Sequence, residues 1–264
     1  MKYKEIVRIL NRLAPEELAC EWDNVGLLVG SLEKDINNIY ITLDLTDEIL
    51  EEAIKFGADM IISHHPLIFN GLKRITDENI ISRRVLKLIK HDIIYYAMHT
   101  NFDAAPLGMG TVVADKLGLI SSEPITDKKE YEGMLCGIGR IGMIEKQIPL
   151  AEFVKNIKES LGIDAVTVYS NKSECNVKTV AILPGSGRSQ IGTVIAMGAD
   201  VYVTGDITHH EGIDAAAEGL TIIDAGHYGM EYGFCNYVNK YLKLSLSDTV
   251  TIKIETYKNP MQIR

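Results

Sequence analysis

Three groups of histidine and carboxylate residues follow apolar stretches of this sequence. They are adjacent His64 and His65, His99 with Asp103, and His227 with Glu231, and in the last two pairs the acid comes four positions after the histidine. Neutral imidazole together with carboxylate suits zinc, manganese or iron, whereas an all-oxygen set would suit magnesium or calcium. The sequence therefore predicts a metal centre that takes ligands from both halves of the chain.

The spacing indicates how these side chains could share ions. If His227 begins a helix, Glu231 projects from the same face, so one ion could take both. Successive residues of an extended strand point to opposite sides, but at a strand-to-loop corner His64 and His65 could diverge toward two neighbouring ions. Two ions about 4 Å apart, each with open positions, would make a hydrolytic centre.

Other interpretations of these residues stay open. An isolated histidine is more often a packed or surface residue than a ligand, and His-His pairs occur by chance. Several such groups at the ends of related strands favour the metal interpretation. In TGDITHHEGID, His210 could be a proton donor near the site, or the His209-His210 pair could simply cap a solvated helix. Asp44 and the run Trp22-Asp23-Asn24 are polar or aromatic residues beside apolar runs. From spacing alone, they could be turn and capping residues as readily as site residues.

Alternating strand and helix patterns must position these side chains. Apolar runs predict strands at NIYITLDL, MIISHHP and IIYYAMH, and amphipathic patterns predict helices at TDEILEEAIKFGAD and ENIISRRVLKLIKHD. This alternation predicts an α/β fold with largely parallel strands. The histidines then follow the carboxyl ends of strands, where open α/β sheets place their sites.

The second half of the chain repeats this pattern. At an offset of 141 positions, residues 39–65 align without a gap with residues 180–206, and GAD at 57–59 matches GAD at 198–200. Further along, at an offset of 128 positions, both histidine–acid pairs coincide. We therefore expect two similar α/β repeats packed face to face, with a dinuclear metal site in the cleft between them.

The expected lobes are residues 1–125 and residues 126–264. The first would carry His64, His65 and Asp103, and the second would carry His227 and Glu231. The closing C-terminal strand, DTVTIKIETY, is a candidate for sharing with the first lobe. Since no linker or low-complexity segment separates the halves, we expect an extensive interface.

A glycine-rich segment, LPGSGRSQIG, follows a predicted strand and precedes a predicted helix. The free N–H groups at the helix start could hold a phosphate, with Gly185, Ser186 and Gly187 as the candidate residues. The alternative is a tight turn between strand and helix. A G-x-G-x-x-G pattern at 137–142 lies inside a strand-like run with no helix after it, so we reject a dinucleotide site there.

Composition limits the class of protein. The chain has 264 residues, 46% hydrophobic and 24% charged, as expected for one large or two small domains. Its net charge of −9 argues against a nucleic-acid partner, because surfaces that bind nucleic acid are usually basic. The start, MKYKEIVRIL, has charges where a secretory leader needs an apolar region, and no stretch is apolar for about 18 residues. We therefore expect a cytoplasmic protein without a membrane partner.

Six motifs occur in a characteristic order: EWDNVGLLVG, SHHPLIF, HTNFDAA, LPGSGRS, TGDITHH and DAGHYGME. With these motifs the chain resembles the Nif three-like proteins, commonly labelled GTP cyclohydrolase 1 type 2 homologues, over essentially its whole length. The resemblance implies a two-lobed α/β protein with a dinuclear metal centre, assembled as a toroidal homohexamer.

The resemblance also implies a role for each motif residue. Two divalent ions per chain, zinc, iron or manganese, would be held by His64, His65, Asp103, His227 and Glu231. Glu231 would bridge the two ions. His99 and His210 match family positions close to the metals that are not usually counted as ligands, and we expect them to move protons in catalysis.

The family's label implies a metal-dependent hydrolase whose small-molecule substrate is a nucleotide. In the cyclohydrolase reaction, metal-bound hydroxide attacks C8 of the guanine ring of GTP, the ring opens and formate leaves. The same centre could instead hydrolyse a phosphate ester or another cyclic amide, since a fold does not dictate its substrate. The alternative to an enzyme is a toroidal metal-binding protein or a platform on which other proteins assemble.

Overall fold

The fold was obtained as a computed structural model that describes residues 1–172, 174–246, 249–256, 259 and 261. The chain forms two compact units. The first unit comprises Met1–Phe102 and Phe234–Tyr257, and the second comprises Asp103–Gly233 and Lys258–Arg264. Within the described residues, no helix combines the length and the apolar character needed to cross a membrane.

The helices of the described residues are α1 (Tyr3–Leu13), α2 (Asp47–Phe56), α3 (Ile80–Lys90), α4 (Thr100–Ala104), α5 (Met109–Lys116), α6 (Leu150–Leu161), α7 (Ile191–Ala196), α8 (His209–Ala217), α9 (His227–Glu231) and α10 (Gly233–Ser245). Short 3₁₀ helices occupy Glu16–Leu18 and Arg188–Gln190. The predicted helices at 46–59 and 78–92 are confirmed as α2 and α3.

The strands are β1 (Gly26–Val29), β2 (Asn38–Thr42), β3 (Met60–Ser63), β4 (Ile94–Ala97), β5 (Leu119–Glu123), β6 (Thr126–Tyr131), β7 (Met134–Ile138), β8 (Arg140–Pro149), β9 (Thr167–Tyr169), β10 (Asn176–Ser186), β11 (Val201–Gly205), β12 (Thr221–Asp224) and β13 (Thr251–Ile254). The rejected G-x-G-x-x-G pattern lies on β7 and β8, which confirms its strand context.

The sheet of the first unit has the strand order β1-β4-β3-β2-β13. β13, β2, β3 and β4 run parallel, and β1 is antiparallel to β4. Ile39 lies opposite Met60, and Met60 lies opposite Ile94. The parallel register brings the carboxyl ends of β3 and β4 to the same edge of the sheet, which is where His64 and His99 follow.

Helices α2 and α3 cover one face of this sheet. Their apolar residues form one buried cluster with strand residues, including Leu50 and Ala53 of α2, Val85 and Leu88 of α3, and Tyr40, Ile61 and Tyr95 of the strands. Thr46 caps α2, because its side chain accepts a hydrogen bond from the Ile49 N–H at 3.2 Å. The central strands are also buried on their other face, as parallel strands usually are.

The main sheet of the second unit has the order β5-β8-β10-β11-β12-β9. Only its centre is parallel, since β10, β11 and β12 run in one direction while β5, β8 and β9 pair antiparallel. β6 and β7 form a separate antiparallel pair. The prediction of largely parallel strands is therefore correct for the sheet of the first unit, where only β1 is antiparallel, and for the centre of this second sheet, whose outer strands pair antiparallel.

Strand pairing explains why the compact units differ from the lobes expected at 1–125 and 126–264. β5 pairs with β8, so the chain before residue 125 already belongs to the second unit. β13 pairs in parallel with β2 and lies in the sheet of the first unit. The division of the sequence into those two lobes stays a prediction, while hydrogen-bonded neighbours decide the bounds of the units.

Glu255 is a buried acid directly after β13, with 5% of its surface exposed. Its Oε2 lies 2.7 Å from Thr42 Oγ1, which also lies 2.7 Å from the carbonyl oxygen of Asp44. A hydroxyl has one proton to donate and a carbonyl can only accept, so a protonated Glu255 satisfies both contacts. Burial raises the pKa of Glu255, although its contacts with Thr42 and Leu43 oppose the shift.

We expect Glu255→Gln to reduce the pH dependence of stability. Because the carboxyl pKa is raised in the folded protein, the stability it contributes is full below the ordinary carboxyl pKa and falls as pH rises through the raised value. A glutamine amide can donate to Thr42 at every pH. Melting temperatures between about pH 4 and 8 should therefore fall less steeply in the variant than in the wild type. Glu130→Gln, at an exposed position of β6, is the control; equal slopes in all three proteins would contradict the protonated assignment.

Candidate metal centre

His64 and His65 directly follow the last residue of β3. The backbone N–H of His64 donates to the carbonyl of Thr42 at 3.3 Å, and that of His65 donates to the carbonyl of Leu43 at 3.1 Å. Beyond the strand, the two rings lie 5.0 Å apart between centroids, inclined at 47°. The pair thus stands at the strand-to-loop corner that the sequence predicts.

His99 brings a third imidazole to the same edge of the sheet. It follows β4, which pairs with β3, and its ring centroid lies 5.3 Å from that of His64 and 5.6 Å from that of His65. One ring nitrogen from each of the three residues lies within 4.8 Å of the others. The geometry therefore makes His99 a candidate ligand as well as a candidate for proton transfer.

Aromatic packing holds the ring of His64 in place. His64 is fully buried, with the ring of Phe234 at 5.2 Å and that of Phe102 at 6.3 Å between centroids. Phe102 and Phe234 are themselves fully buried and lie 5.3 Å apart, nearly perpendicular. A side chain fixed by packing loses little further freedom when it binds a ligand.

Each histidine of this cluster directs its Nδ1 atom at an oxygen. The partners are the carbonyl of Met98 for His64 at 2.7 Å, Oδ1 of Asp44 for His65 at 2.8 Å, and Oδ1 of Asp23 for His99 at 2.9 Å. A carbonyl or a carboxylate only accepts, so the proton belongs on Nδ1 and Nε2 keeps its lone pair. This arrangement, a histidine oriented by an oxygen behind it, is typical of metal ligands.

Asp23 accepts hydrogen bonds from Thr100 as well as contacting His99. Its Oδ2 accepts from the backbone N–H of Thr100 at 3.0 Å and from the Thr100 hydroxyl at 2.5 Å. Burial alone would raise the pKa of Asp23, but the hydrogen bonds from His99 and Thr100 outweigh it and hold the pKa below the usual carboxyl range. Asp23 therefore stays ionised and fixes the ring of His99.

In the second unit, His227 and Glu231 are the first and last residues of α9. His227 Nε2 lies 3.1 Å from Glu231 Oε2, which confirms that the spacing of four places both on one helical face. His227 Nδ1 contacts Asp206 Oδ2 at 2.7 Å. Glu231 is buried, with 3% of its surface exposed.

The chemistry of this pair fits a cation. If Nδ1 of His227 donates to Asp206, the neutral ring turns the Nε2 lone pair toward a carboxylate oxygen 3.1 Å away. Two such atoms repel each other unless a second proton or a metal ion lies with them. Zinc–donor bonds of about 2.0–2.2 Å at tetrahedral angles separate two donors by about 3.4 Å. The donor types suit a metal ion, which would need the two atoms to lie about 0.3 Å further apart than they do here.

Two glycines give the candidate ligands of the second unit their space. Gly185 has φ +73°, and a Cβ atom there would overlap Oε1 of Glu231. A Cβ atom on Gly205 would come within 2.7 Å of the backbone nitrogen of His227. Both positions therefore require glycine so that α9 can approach β10 and β11 closely.

The candidate phosphate segment connects the end of β10 to a short 3₁₀ helix, and Gly185 and Ser186 are the last two residues of the strand. Gly185 and Gly187 are buried and Ser186 is exposed. Gly187 precedes a 3₁₀ helix, and its carbonyl accepts a hydrogen bond from Tyr202 Oη at 2.9 Å. The tight turn, which is the alternative interpretation, accounts for these contacts, and the phosphate role stays a prediction.

The remaining predicted site residues are Asp103 and His210. Asp103 lies in α4, four residues after His99, and is half-buried. His210 is exposed in the first turn of α8, where its ring packs against His209 at 5.4 Å. Thr208 and Glu211 form the capping box of that helix. The capping function therefore belongs to Thr208 and Glu211, and the role of His210 in proton transfer stays a prediction.

Sequence reasoning did not assign the acids behind the histidines. From the sequence, Asp23 and Asp44 could equally be turn or capping residues, and Asp206 is only the counterpart of His65 in the repeat. The sequence does indicate two of these acids by their position, since Asp44 and Asp206 each come one or two residues after the end of a strand. That position places an acid at the same edge of the sheet as the histidines.

Asp206→Asn is expected to weaken zinc binding about 10- to 100-fold, the usual effect of removing an acid that orients a histidine ligand. Asp206 has φ +59°, a conformation that asparagine tolerates, so the backbone should be unchanged. Competition with a chromogenic chelator gives the affinity. Asp214→Asn, on the exposed side of α8, is the control and should bind zinc like the wild type. Equal affinities in all three proteins would show that Asp206 does not orient a ligand.

The sequence is similar to that of known proteins over most of its length. Residues 1–260 match the model of Duf34/NIF3 (NGG1p interacting factor 3). A Clostridium perfringens (strain 13 / Type A) protein named GTP cyclohydrolase 1 type 2 homolog is 36% identical over 263 residues, 99% of each chain. A protein with the same name from Methanocaldococcus jannaschii is 35% identical over 233 residues, 88% of this chain and 90% of that protein.

Solved structures agree with the sequence comparison. The crystal structure of a Staphylococcus aureus hypothetical protein matches with a TM-score of 0.87 at 30% identity, covering 100% of this chain and 99% of that one. The mixed α/β fold and the family expected from the six motifs are both confirmed. With a family model that spans nearly its whole length, the chain belongs to the Duf34/NIF3 (NGG1p interacting factor 3) family.

Proposed function

We propose that this protein is a metal-dependent hydrolase that holds two divalent ions per chain, zinc, iron or manganese, on His64, His65, Asp103, His227 and Glu231. The observation that carries the proposal is the orientation of the histidines, since Nδ1 of His64, His65 and His227 each faces an oxygen acceptor and leaves Nε2 for a metal. When bound, the ions would polarise the substrate and lower the pKa of water.

The chain's own residues supply orientation and proton transfer. Asp23 holds Nδ1 of His99, so that Nε2 is the atom that can accept or release a proton. A histidine fixed by a buried carboxylate is the arrangement that general-base catalysis uses elsewhere. His210, the second candidate for proton transfer, has no comparable acid behind it among its described contacts. We therefore assign the principal proton-transfer role to His99.

The substrate we propose is a nucleotide. Relatives carry the name GTP cyclohydrolase 1 type 2 homolog, and the reaction in that name is ring-opening hydrolysis of GTP with release of formate. Within the glycine-rich segment, Ser186 is exposed and is the residue best placed to contact a phosphate, while Gly185 and Gly187 shape the turn.

Hydrogen bonds inside each unit support the proposal that the units are copies of one α/β repeat. In the first, Asp59 Oδ2 accepts from the backbone N–H groups of residues 37–38 at 2.8 and 3.0 Å. In the second, Asp200 Oδ2 accepts from those of residues 178–179 at 2.9 and 2.8 Å. Matching members of the two sets are 141 positions apart, which is the offset found in the sequence.

The test is turnover by the zinc, manganese and iron forms of the protein, offered GTP with formate detection. We expect formate release that is lost in His64→Ala and retained in His91→Ala, a change to an exposed histidine at the end of α3. A panel of phosphate esters and cyclic amides shows whether the same centre prefers another bond. Exchangeable metal with no turnover on the whole panel would refute the hydrolase and leave the metal-binding or assembly-platform alternative.

The resemblance to the family also leads us to propose a cytoplasmic homohexamer. Light scattering coupled to gel filtration measures the mass in solution. A mass of about six times 29.3 kDa is expected, and a monomer at all protein concentrations would contradict the assembly.

A further inference from the structure

Two exposed aromatic rings stand beside the histidine cluster of the first unit. Trp22, the single tryptophan of the sequence, has 60% of its surface exposed, and Phe69 has 46%. Their ring centroids lie 5.8 Å apart at an angle of 48°. Neither exposed ring face contributes to a core, and large aromatic side chains displayed together on loops are typical of binding sites.

The loop that carries Trp22 is anchored on both sides of this residue. The backbone N–H of Cys20 donates to Thr100 Oγ1 at 3.0 Å, and the Asn24 side chain donates to the carbonyl of Ile68 at 2.5 Å. Asp23 is held by His99 and Thr100. Trp22 is therefore presented by a backbone that is already ordered, so a ligand would not have to order it on binding.

Trp22 lies next to the histidine cluster. The centroid of Trp22 lies 6.2 Å from that of His99, with the rings at 76°. His99 in turn lies 5.3 Å from His64 and 5.6 Å from His65. These separations fall in the range of about 4.5–7 Å for aromatic contacts. A planar ligand lying on Trp22 would have its edge next to the proposed metal ligands.

We propose that Trp22 and Phe69 form a stacking platform for the base of a purine nucleotide, which would bring the reactive edge of the base toward His99. The platform rests on the proposed function, since it names the substrate class of the same site. Because the rings of Trp22 and Phe69 already touch, the base stacks on the outward face of Trp22 with Phe69 along its edge. Stacking of this kind recognises the flat face of the ring and needs no charge.

The test uses the fluorescence of Trp22, which reports on this position alone because the chain has no other tryptophan. Guanosine and GTP should quench the emission, whereas ribose 5-phosphate, which has no base, should not. Calorimetry with guanosine should show that Trp22→Ala weakens binding about 5- to 150-fold, the range for loss of one stacked base. Trp22→Phe should retain most of the affinity, and Phe69→Ala should lose part of it.

The control variant is Ile89→Ala, which removes another exposed apolar side chain, on α3, and should bind guanosine like the wild type. Unchanged affinity in Trp22→Ala, or equal quenching by ribose 5-phosphate, would overturn the platform. A shift of the Trp22 emission on dilution, with no ligand present, would assign the rings to contacts between copies of the chain and would also overturn it. Guanosine binding without turnover of GTP or of any other substrate on the panel would contradict the hydrolase alone, and GTP turnover with unchanged KM in Trp22→Ala would contradict the platform alone.

Discussion

Replacing His227 and Glu231 together by alanine should lower the bound metal from about two ions per chain to one or none. The pair offers two donors 3.1 Å apart, and Glu231 is the proposed bridge between the ions. Metal analysis of the purified protein measures the content. Added zinc should stabilise the wild type by about 2.7 kcal/mol at a hundred times Kd and so raise its melting temperature. The rise should be smaller in the double variant, and absent if that variant binds no ion.

The matched control replaces His209 and Asp214, an exposed histidine and acid of α8, and should keep the full metal content. Since Glu231 is buried and its loss could disturb packing, the single variant His227→Ala, at a half-exposed position, separates ligand loss from misfolding. Full occupancy in the double variant would refute His227 and Glu231 as ligands.

Gly185→Ala should reduce metal affinity at least tenfold, although the variant keeps the predicted ligands His227 and Glu231. The added methyl group would overlap Oε1 of Glu231, so the carboxylate must move. Alanine at φ +73° also costs about 1–2 kcal/mol of backbone energy, so we expect a lower melting temperature. Zinc affinity by chelator competition and thermal unfolding, measured on the same samples, test the two effects.

Gly192→Ala is the control for this change. Gly192 lies in α7, where a Cβ atom meets nothing within 4 Å, and alanine favours the helix. Its metal affinity should equal that of the wild type and its melting temperature should be equal or higher. If Gly185→Ala binds zinc as tightly as Gly192→Ala, Glu231 does not hold the metal in the position that the structure gives it.

Local patterns were sufficient to predict the elements that carry the candidate ligands. The apolar runs that mark β3 and β4 and the spacing that marks α2 and α3 each depend on side chains within one strand or helix, so the sequence expresses them directly. The pairing of His227 with Glu231 is equally local, because one turn of helix separates them. These parts of the site could be predicted without any knowledge of the fold.

Strand pairing refines the comparison of the two halves. Ile61 of β3 lies opposite Tyr95 of β4, and Tyr202 of β11 lies opposite Ile222 of β12. Ile61 and Tyr202 are 141 positions apart, whereas Tyr95 and Ile222 are 127 positions apart, so β4 corresponds to β12 at an offset of 127. His99 and His227 are 128 positions apart. The second unit therefore has one additional residue between strand end and histidine, at Gly226 with φ +73°. Sequence alignment follows the histidines, and only hydrogen-bonded register shows where the extra residue lies.

The sequence by itself determined the family, the α/β elements and the types of residue that could bind metal, because motifs and periodicity are properties of neighbouring residues. The tertiary structure decided which acid stands behind which histidine. Asp23 is 76 positions from His99, and Asp44 is 21 positions from His65. The parallel pairing of β2 with β3 brings Asp44 beside His65, and the antiparallel pairing of β1 with β4, with Gly26 opposite Ala97, brings Asp23 beside His99. No spacing in the chain encodes that choice of strand neighbours.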